Sequence, residues 1–276
     1  GSASAPWPRE AMELDLLKCG AAGAAAGLVC DTLLYPLDLA RANLNAPRPA
    51  TAPPLPAHPL RALAAIFREL PARRLFRGYA CVPYFAPTAY ALYFGAYEYW
   101  SRTAESELLA GFSAEATANP IYIPYDIMKQ RFMVGREAEG ASVPAAVRGV
   151  LERDGLRGMY RGFLLTFATY GPFSAIYFHA YAAFTNWGGD APLAWGSLSG
   201  AVAGTATQPV DWLKTRVQVA SETRLSLPKV VADAVRREGA GTMFRGSAAR
   251  AFWLGASCGI TMHVYEAGKR ALGAFS

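Results

Sequence analysis

The chain has 276 residues and is 53% hydrophobic but only 17% charged, against roughly 25% charged in an average soluble domain. That balance excludes a disordered polyelectrolyte, and 26 glycines without a three-residue period exclude a collagen-like chain. The net charge of +6 sits largely outside a series of long uncharged stretches. In chain order, residues 19–37 carry only Asp31, residues 78–97 carry no charge, and residues 108–125 carry only Glu115. Residues 162–189, 191–210 and 251–265 carry none. The stretches 78–97, 162–189 and 191–210 reach the roughly 20 residues that cross a bilayer core, and the three weaker ones alternate with them. Six such segments leave too little polar sequence to cover them in water, so the reading is a membrane protein with six spans.

The spans are rich in proline and small residues. Pro36, Pro83, Pro87, Pro124, Pro172 and Pro209 are tolerable in lipid, where neighbouring helices satisfy the freed backbone groups. Gly23 with Gly27, and Gly196, Gly200 and Gly204, have the four-residue spacing that lets helix backbones approach closely.

A threefold repeat runs through the chain. Pro36, Asp38 and Arg41, then Pro124, Asp126 and Lys129, then Pro209, Asp211 and Lys214 share the pattern P-x-D-x-x-[KR], with the aspartates 88 and 85 residues apart. Phe76-Arg77-Gly78, Tyr160-Arg161-Gly162 and Phe244-Arg245-Gly246 recur at intervals of 84 residues, as do Tyr97, Tyr181 and Tyr265. An acid and a base three residues apart share one helical face. At membrane depth such charges are costly unless paired or turned to a water-filled cavity.

The triplicated motif resembles that of the mitochondrial carrier family of inner-membrane metabolite transporters, over about residues 11–272. The resemblance implies an all-α membrane protein: six transmembrane helices in three pseudo-symmetric repeats, each of two spans plus a short matrix helix. It implies a single domain over residues 1–276, with repeats near 11–102, 103–188 and 189–272. Both termini would face the intermembrane space, and the matrix helices would lie near residues 59–69, 143–153 and 226–238, where apolar positions recur at three and four residues. The N-terminal residues show neither an Arg-rich presequence nor a signal peptide, and the resemblance requires neither.

By the same resemblance, Asp38–Lys129, Asp126–Lys214 and Asp211–Arg41 would form a matrix-side gate of ion pairs; alternatively, the pairs only stabilise helix ends. The family's second charged pattern, [FY]-[DE]-x-x-[KR], is complete only at Tyr265-Glu266-Ala267-Gly268-Lys269, and Glu98 remains in the first repeat without its base. The intermembrane-side gate is thus reduced to Glu98, Glu266 and Lys269. The aromatic-Arg-Gly triplets start helices, whose termini attract phosphate. By the resemblance, Arg77, Gly78, Arg161, Gly162, Arg245 and Gly246 would bind cardiolipin at the matrix surface, the other reading being a helix cap with a snorkelling arginine.

The family's substrate contacts fall seven residues after each triplet glycine, here at Phe85, at Thr169 with its neighbour Tyr170, and at Trp253. None is an arginine, which speaks against nucleotides, phosphate esters and dicarboxylates. Asp31, whose repeat mates are Asn119 and Gly204, breaks the symmetry, and Glu115 lies four residues before Asn119 on the same face, at the position equivalent to Gly27 and Gly200, where the other reading is a packing acid bonded to a neighbouring helix. Two acids among aromatic side chains suit a cationic or zwitterionic substrate. The segment around Asp31 and the position of Glu115 also resemble the S-adenosylmethionine carrier subgroup. His58, His179 and His263 lack ligand spacing, so no metal is expected, and Cys19, Cys30, Cys81 and Cys258 read as small apolar residues. No catalytic motif, cofactor other than bound cardiolipin, or nucleic-acid partner is expected. Two functions are weighed: a metabolite carrier, and a carrier-fold protein retained as a structural subunit of a respiratory-chain complex.

Overall fold

The computed structural model describes residues 9–47, 53, 55–56, 58–69, 76–103, 107–137, 141–188, 192–220 and 226–273. The described residues are helical throughout, without strands: α1 (Arg9–Leu33), α2 (Tyr35–Asn45), α3 (Pro59–Glu69), α4 (Cys81–Thr103), α5 (Glu107–Met133) and α6 (Val143–Met159), followed by α7 (Phe163–Gly188), α8 (Pro192–Ala206), α9 (Gln208–Val219), α10 (Leu227–Glu238), a short 3-10 helix (Ala240–Phe244) and α11 (Ser247–Leu272).

The three short helices fall where the periodicity predicts them, at α3, α6 and α10. The second runs longer than expected but breaks at Gly155, whose φ of 64° lies in the left-handed region. The long helices α4, α5, α7 and α11 have 23, 27, 26 and 26 residues, enough to cross a bilayer by length. By length and apolarity together, however, one described segment passes as a span, Glu13–Leu33. Prolines, tyrosines and small polar residues dilute the others, and two of the expected spans are interrupted. The chain breaks between α1 and α2 at Leu34, and between α8 and α9 at Thr207, so that Pro36 and Pro209 each fall in the first turn of a new helix. A proline there forfeits no helical hydrogen bond. In contrast, α5 continues through both Pro120 and Pro124.

The chain divides into two compact units. The first comprises residues 1–32, 81–125 and 260–276, hence most of α1, all of α4, the first two-thirds of α5 and the end of α11. Its core gathers Cys19, Ala22, Ala26, Phe94 and Tyr265, flanked by Tyr90, Tyr93 and Val264. The Phe94 and Tyr265 rings stack at 4.2 Å. The glycine stripe of α1 makes this contact possible: a Cβ on Gly23 would lie 2.6 Å from Phe94, and one on Gly27 would overlap Tyr90.

The second unit comprises residues 33–80 and 126–259. Ala40, Leu44, Leu55, Ala62, Ile66 and Ala249 form one of its cores, and α7 packs along α8, where Phe184 stacks on Trp195 at 5.8 Å. Of the three evenly spaced glycines of α8, Gly204 alone is pressed, against Leu254; Gly196 and Gly200 have ordinary van der Waals room. The charged and polar side chains of Asp31, Asn119, Lys129, Gln130, Arg131 and Asp211 are buried, whereas Leu17, Leu164 and Trp187 are 72%, 78% and 85% exposed. Polar inside and bulky apolar outside is the arrangement expected of helices solvated by lipid, and a liability in water.

Candidate functional site

The repeated charges meet in the second unit. The first-turn position of Asp38 in α2 and of Asp211 in α9 follows from the helix breaks at Leu34 and Thr207, and each base lies one turn further along. Arg41 binds Asp211 through both ends of its fork, Nη2 to Oδ1 at 2.5 Å and Nε to Oδ2 at 3.1 Å. Lys129 Nζ reaches Asp38 at 2.9 Å, and Lys214 Nζ reaches Asp126 at 2.9 Å. Arg41 also stands 3.4 Å from Asp38. Thus α2, α5 and α9 are joined in a closed cycle by three ion pairs, each largely shielded from solvent. Removing one member of a pair so shielded strands its partner, at a cost of about 3–5 kcal/mol.

Amides brace this cycle, and sequence reasoning missed them. Asn45 Nδ2 donates to Asp211 at 3.1 Å and itself accepts from Gln208 at 2.9 Å. Gln130 and Gln218 donate to the two oxygens of Asp126 at 2.9 and 3.0 Å, and Gln130 also donates to Gln218 at 2.8 Å. Asn45, Met133 and Gln218 each lie seven residues after their aspartate, so two of the three equivalent positions carry an amide. Arg250, one residue before the uncharged stretch of α11, adds a second guanidinium 3.6 Å from Asp211. Aromatic rings lie beside two of the cations: Arg41 over Trp253 at 5.5 Å, and Lys129 over Tyr35 at 5.7 Å.

The triplet arginines turn inward. Arg77 donates to the Glu137 carbonyl at 3.0 Å, Arg161 to that of Ala220, and Arg245 to that of Glu238 at 2.9 Å. Arg161 and Arg245 also pair with Asp154 and Glu238, at 3.2 and 3.5 Å. Each of these acids precedes a left-handed glycine, Gly155 or Gly239, and they lie 84 residues apart, a spacing that could have revealed them. Gly78 and Gly162 need their φ of 78° and 80°. Gly246 is required for room instead, because a Cβ there would run into Asn45 Oδ1.

In the first unit, Asp31 is 2% exposed and accepts a short hydrogen bond from the hydroxyl of Tyr125. Phe85 stacks on the Tyr125 ring at 6.1 Å, and Tyr122 meets it edge-on at 6.0 Å. Tyr125 is the variable residue inside the second P-x-D motif, which is why the motif concealed it. Glu115 and Asn119 are buried on α5, and neither the oxygen nor the nitrogen of the Asn119 amide has a partner among the described residues. A buried carboxylate among aromatic rings is chemically fitted to hold an organic cation. On the same unit Glu98 faces Lys269 at 3.9 Å but is held closer by Arg102, at 3.1 Å on its own helix.

The remaining expected contacts lie in the second unit. Thr169 is buried, and its hydroxyl donates to the Leu165 carbonyl at 2.7 Å, so it offers a ligand only an acceptor oxygen. Trp253 is half-buried, and its indole Nε1 is enclosed without a partner among the described residues. The side chains of Tyr170 and Glu266 lie outside what the structure describes.

The family model described as "Mitochondrial carrier protein" matches residues 13–107, 101–192 and 191–276. The chain is 29% identical to the Mitochondrial substrate carrier family protein E of Dictyostelium discoideum, over 88% of this chain and 92% of that protein. It is 31% identical to the S-adenosylmethionine carrier 1, chloroplastic/mitochondrial, of Arabidopsis thaliana, over 91% and 78%. It is 29% identical to the Mitochondrial glycine transporter B of Danio rerio, over 91% and 93%. Three consecutive matches to one family model, together spanning the helices that carry the charged cycle, make this chain a member of the mitochondrial carrier family.

Proposed function

We propose that this carrier moves a small cationic or zwitterionic metabolite across the mitochondrial inner membrane by alternating access. In this reading six helical spans form three repeats of one domain, both termini face the intermembrane space, and the cycle of Asp38–Lys129, Asp126–Lys214 and Asp211–Arg41 is the matrix-side gate. The observation that carries it is that closed cycle of shielded pairs. Substrate binding must offset the free energy of separating them, and only differential affinity for the open state can do so. Asp31, with Phe85 and Tyr125 beside it, is the group we assign to the substrate's positive charge, supported by its burial and its aromatic neighbours. Glu115, Asn119, Thr169, Tyr170 and Trp253 are further contact candidates, and the S-adenosylmethionine and glycine carriers among the relatives fit a substrate of this charge type. Glu98 with Lys269 is the outer gate, weaker and partly shared with Arg102.

Cardiolipin at the helix starts marked by Gly78, Gly162 and Gly246 remains part of the proposal. The inward-turned arginines would position those turns while backbone N–H groups meet the phosphate. The role of structural subunit in a respiratory-chain complex has no support from the relatives.

The test is uptake by the purified protein in cardiolipin-containing liposomes, with radiolabelled S-adenosylmethionine and glycine as first probes and a cationic and zwitterionic panel behind them. Uptake that is saturable and abolished in Asp31→Asn is expected. Dicarboxylate or nucleotide uptake unaffected by that substitution would sink the proposal.

A further inference from the structure

Two departures from the threefold pattern meet in one hydrogen bond. Asp31 stands where the other repeats have Asn119 and Gly204, and Tyr125 stands where the other P-x-D motifs have Leu37 and Val210. The Tyr125 hydroxyl donates to Asp31 Oδ2. This bond ties α1 to α5, and both residues belong to the first unit. A brace needed only for helix packing would be expected to recur with the repeats. This one occurs in a single copy, on the acid assigned to the substrate's charge.

Both residues are 2% exposed, so Asp31 is enclosed as it stands and a ligand reaches it only after a side chain moves. The group seated on the carboxylate is the Tyr125 hydroxyl. Its ring is held separately, by Phe85 of α4 stacked at 6.1 Å and Tyr122 edge-on at 6.0 Å. A carboxylate binds a cation more strongly than it binds a neutral hydroxyl. Exchange of the hydroxyl for a positively charged ligand therefore runs downhill, whereas a neutral donor only replaces like with like.

We infer that the Tyr125 hydroxyl is an internal stand-in for the substrate's cation, occupying Asp31 in the empty site and displaced when substrate binds. The inference rests on the assignment of Asp31 to the substrate and adds a regulation of that site. A ligand must bind the form in which the acid is uncovered, so its apparent affinity is reduced by the fraction of molecules in that form. Binding also removes one tie between α1 and α5.

The experiment measures the unfolding temperature of the full chain, purified in detergent with cardiolipin, against rising concentrations of S-adenosylmethionine, glycine and tetramethylammonium, with liposome uptake in parallel. Tyr125→Phe keeps the ring and removes the hydroxyl. Without ligand it should unfold at a lower temperature than the wild type. With at least one probe it should nonetheless bind about tenfold more tightly, the scale of one hydrogen bond to a charged group. That opposition is the signature, because a purely structural bond would lower stability without tightening binding. Tyr125→Met supplies a second hydroxyl-free side chain if Tyr125→Phe fails to fold. Affinity that is unchanged or weaker in the hydroxyl-free variants overturns the displacement and leaves the role of Asp31 standing. Probe binding unaffected by Asp31→Asn overturns both. Tighter binding in Tyr125→Phe without uptake by either protein keeps the displacement and removes the transport reading. Stabilisation of neither the wild type nor the variants by any probe overturns the inference.

Discussion

The two sets of interhelical charges in this carrier are built to different standards. In the second unit three pairs at 2.5–2.9 Å are shielded from solvent, and two of their aspartates are braced by side-chain amides. In the first unit, among the described residues, one pair at 3.9 Å joins α4 to α11, and its carboxylate is divided between Lys269 and Arg102. A long pair whose carboxylate is shared with a neighbour gains little, about 0–1 kcal/mol, whereas disrupting a short, shielded one costs several. On the gating role proposed above, the free energy that holds the matrix end shut is concentrated in the cycle.

The largest expected effect comes from breaking the hub of the cycle. Asp211→Ala removes the carboxylate that Arg41 grips on both oxygens and Arg250 approaches and should lower stability by about 3–5 kcal/mol, measured by thermal unfolding in detergent; a loss below 1 kcal/mol would mean that the pairs add little. Next come contacts made through glycine. Gly27→Ala and Gly204→Ala force a methyl group into Tyr90 and Leu254 and should each cost about 1–3 kcal/mol. Gly111→Ala, with nothing within 4 Å of the added carbon, should be neutral or stabilising by up to about 1 kcal/mol.

Smaller again is the change at an unbraced pair. Met133 occupies the position that Asn45 and Gln218 fill elsewhere, so Met133→Gln should supply an amide near Asp38, add about 1 kcal/mol and slow uptake; faster uptake would contradict the gate. The smallest effect is expected at the other set. Glu98→Gln should change stability by less than about 1 kcal/mol, and a change as large as that of Asp211→Ala would erase the contrast between the two units.

Much of this was legible in the sequence because it is written three times. The partners of Asp38, Asp126 and Asp211 could be named from spacing and resemblance, since a helix turn fixes which charges share a face. What repetition did not carry stayed hidden. The braces read Asn, Met and Gln at their three positions, so no common letter marks them. Tyr125 occupies the variable place of its motif, and Arg250 borders the stretch whose lack of charge defined it as a span. The helix breaks were hidden for a different reason: Pro36, Pro124 and Pro209 are equivalent in sequence, yet only the first and third end a helix, so proline permits the break without dictating it.

The glycines of the three aromatic-Arg-Gly triplets carry a lesson for mutational tolerance. Gly162 is there for its backbone angle, and the space beside it leaves 3.3 Å to the Gln218 side chain. Asparagine, which tolerates the left-handed region, is the replacement most readily accepted at that position. Gly246 is there because Asn45 occupies the volume a side chain would need, so alanine is already too large. A saturation library would therefore return two different substitution profiles for one repeated letter, and a profile averaged over the repeats would describe neither site.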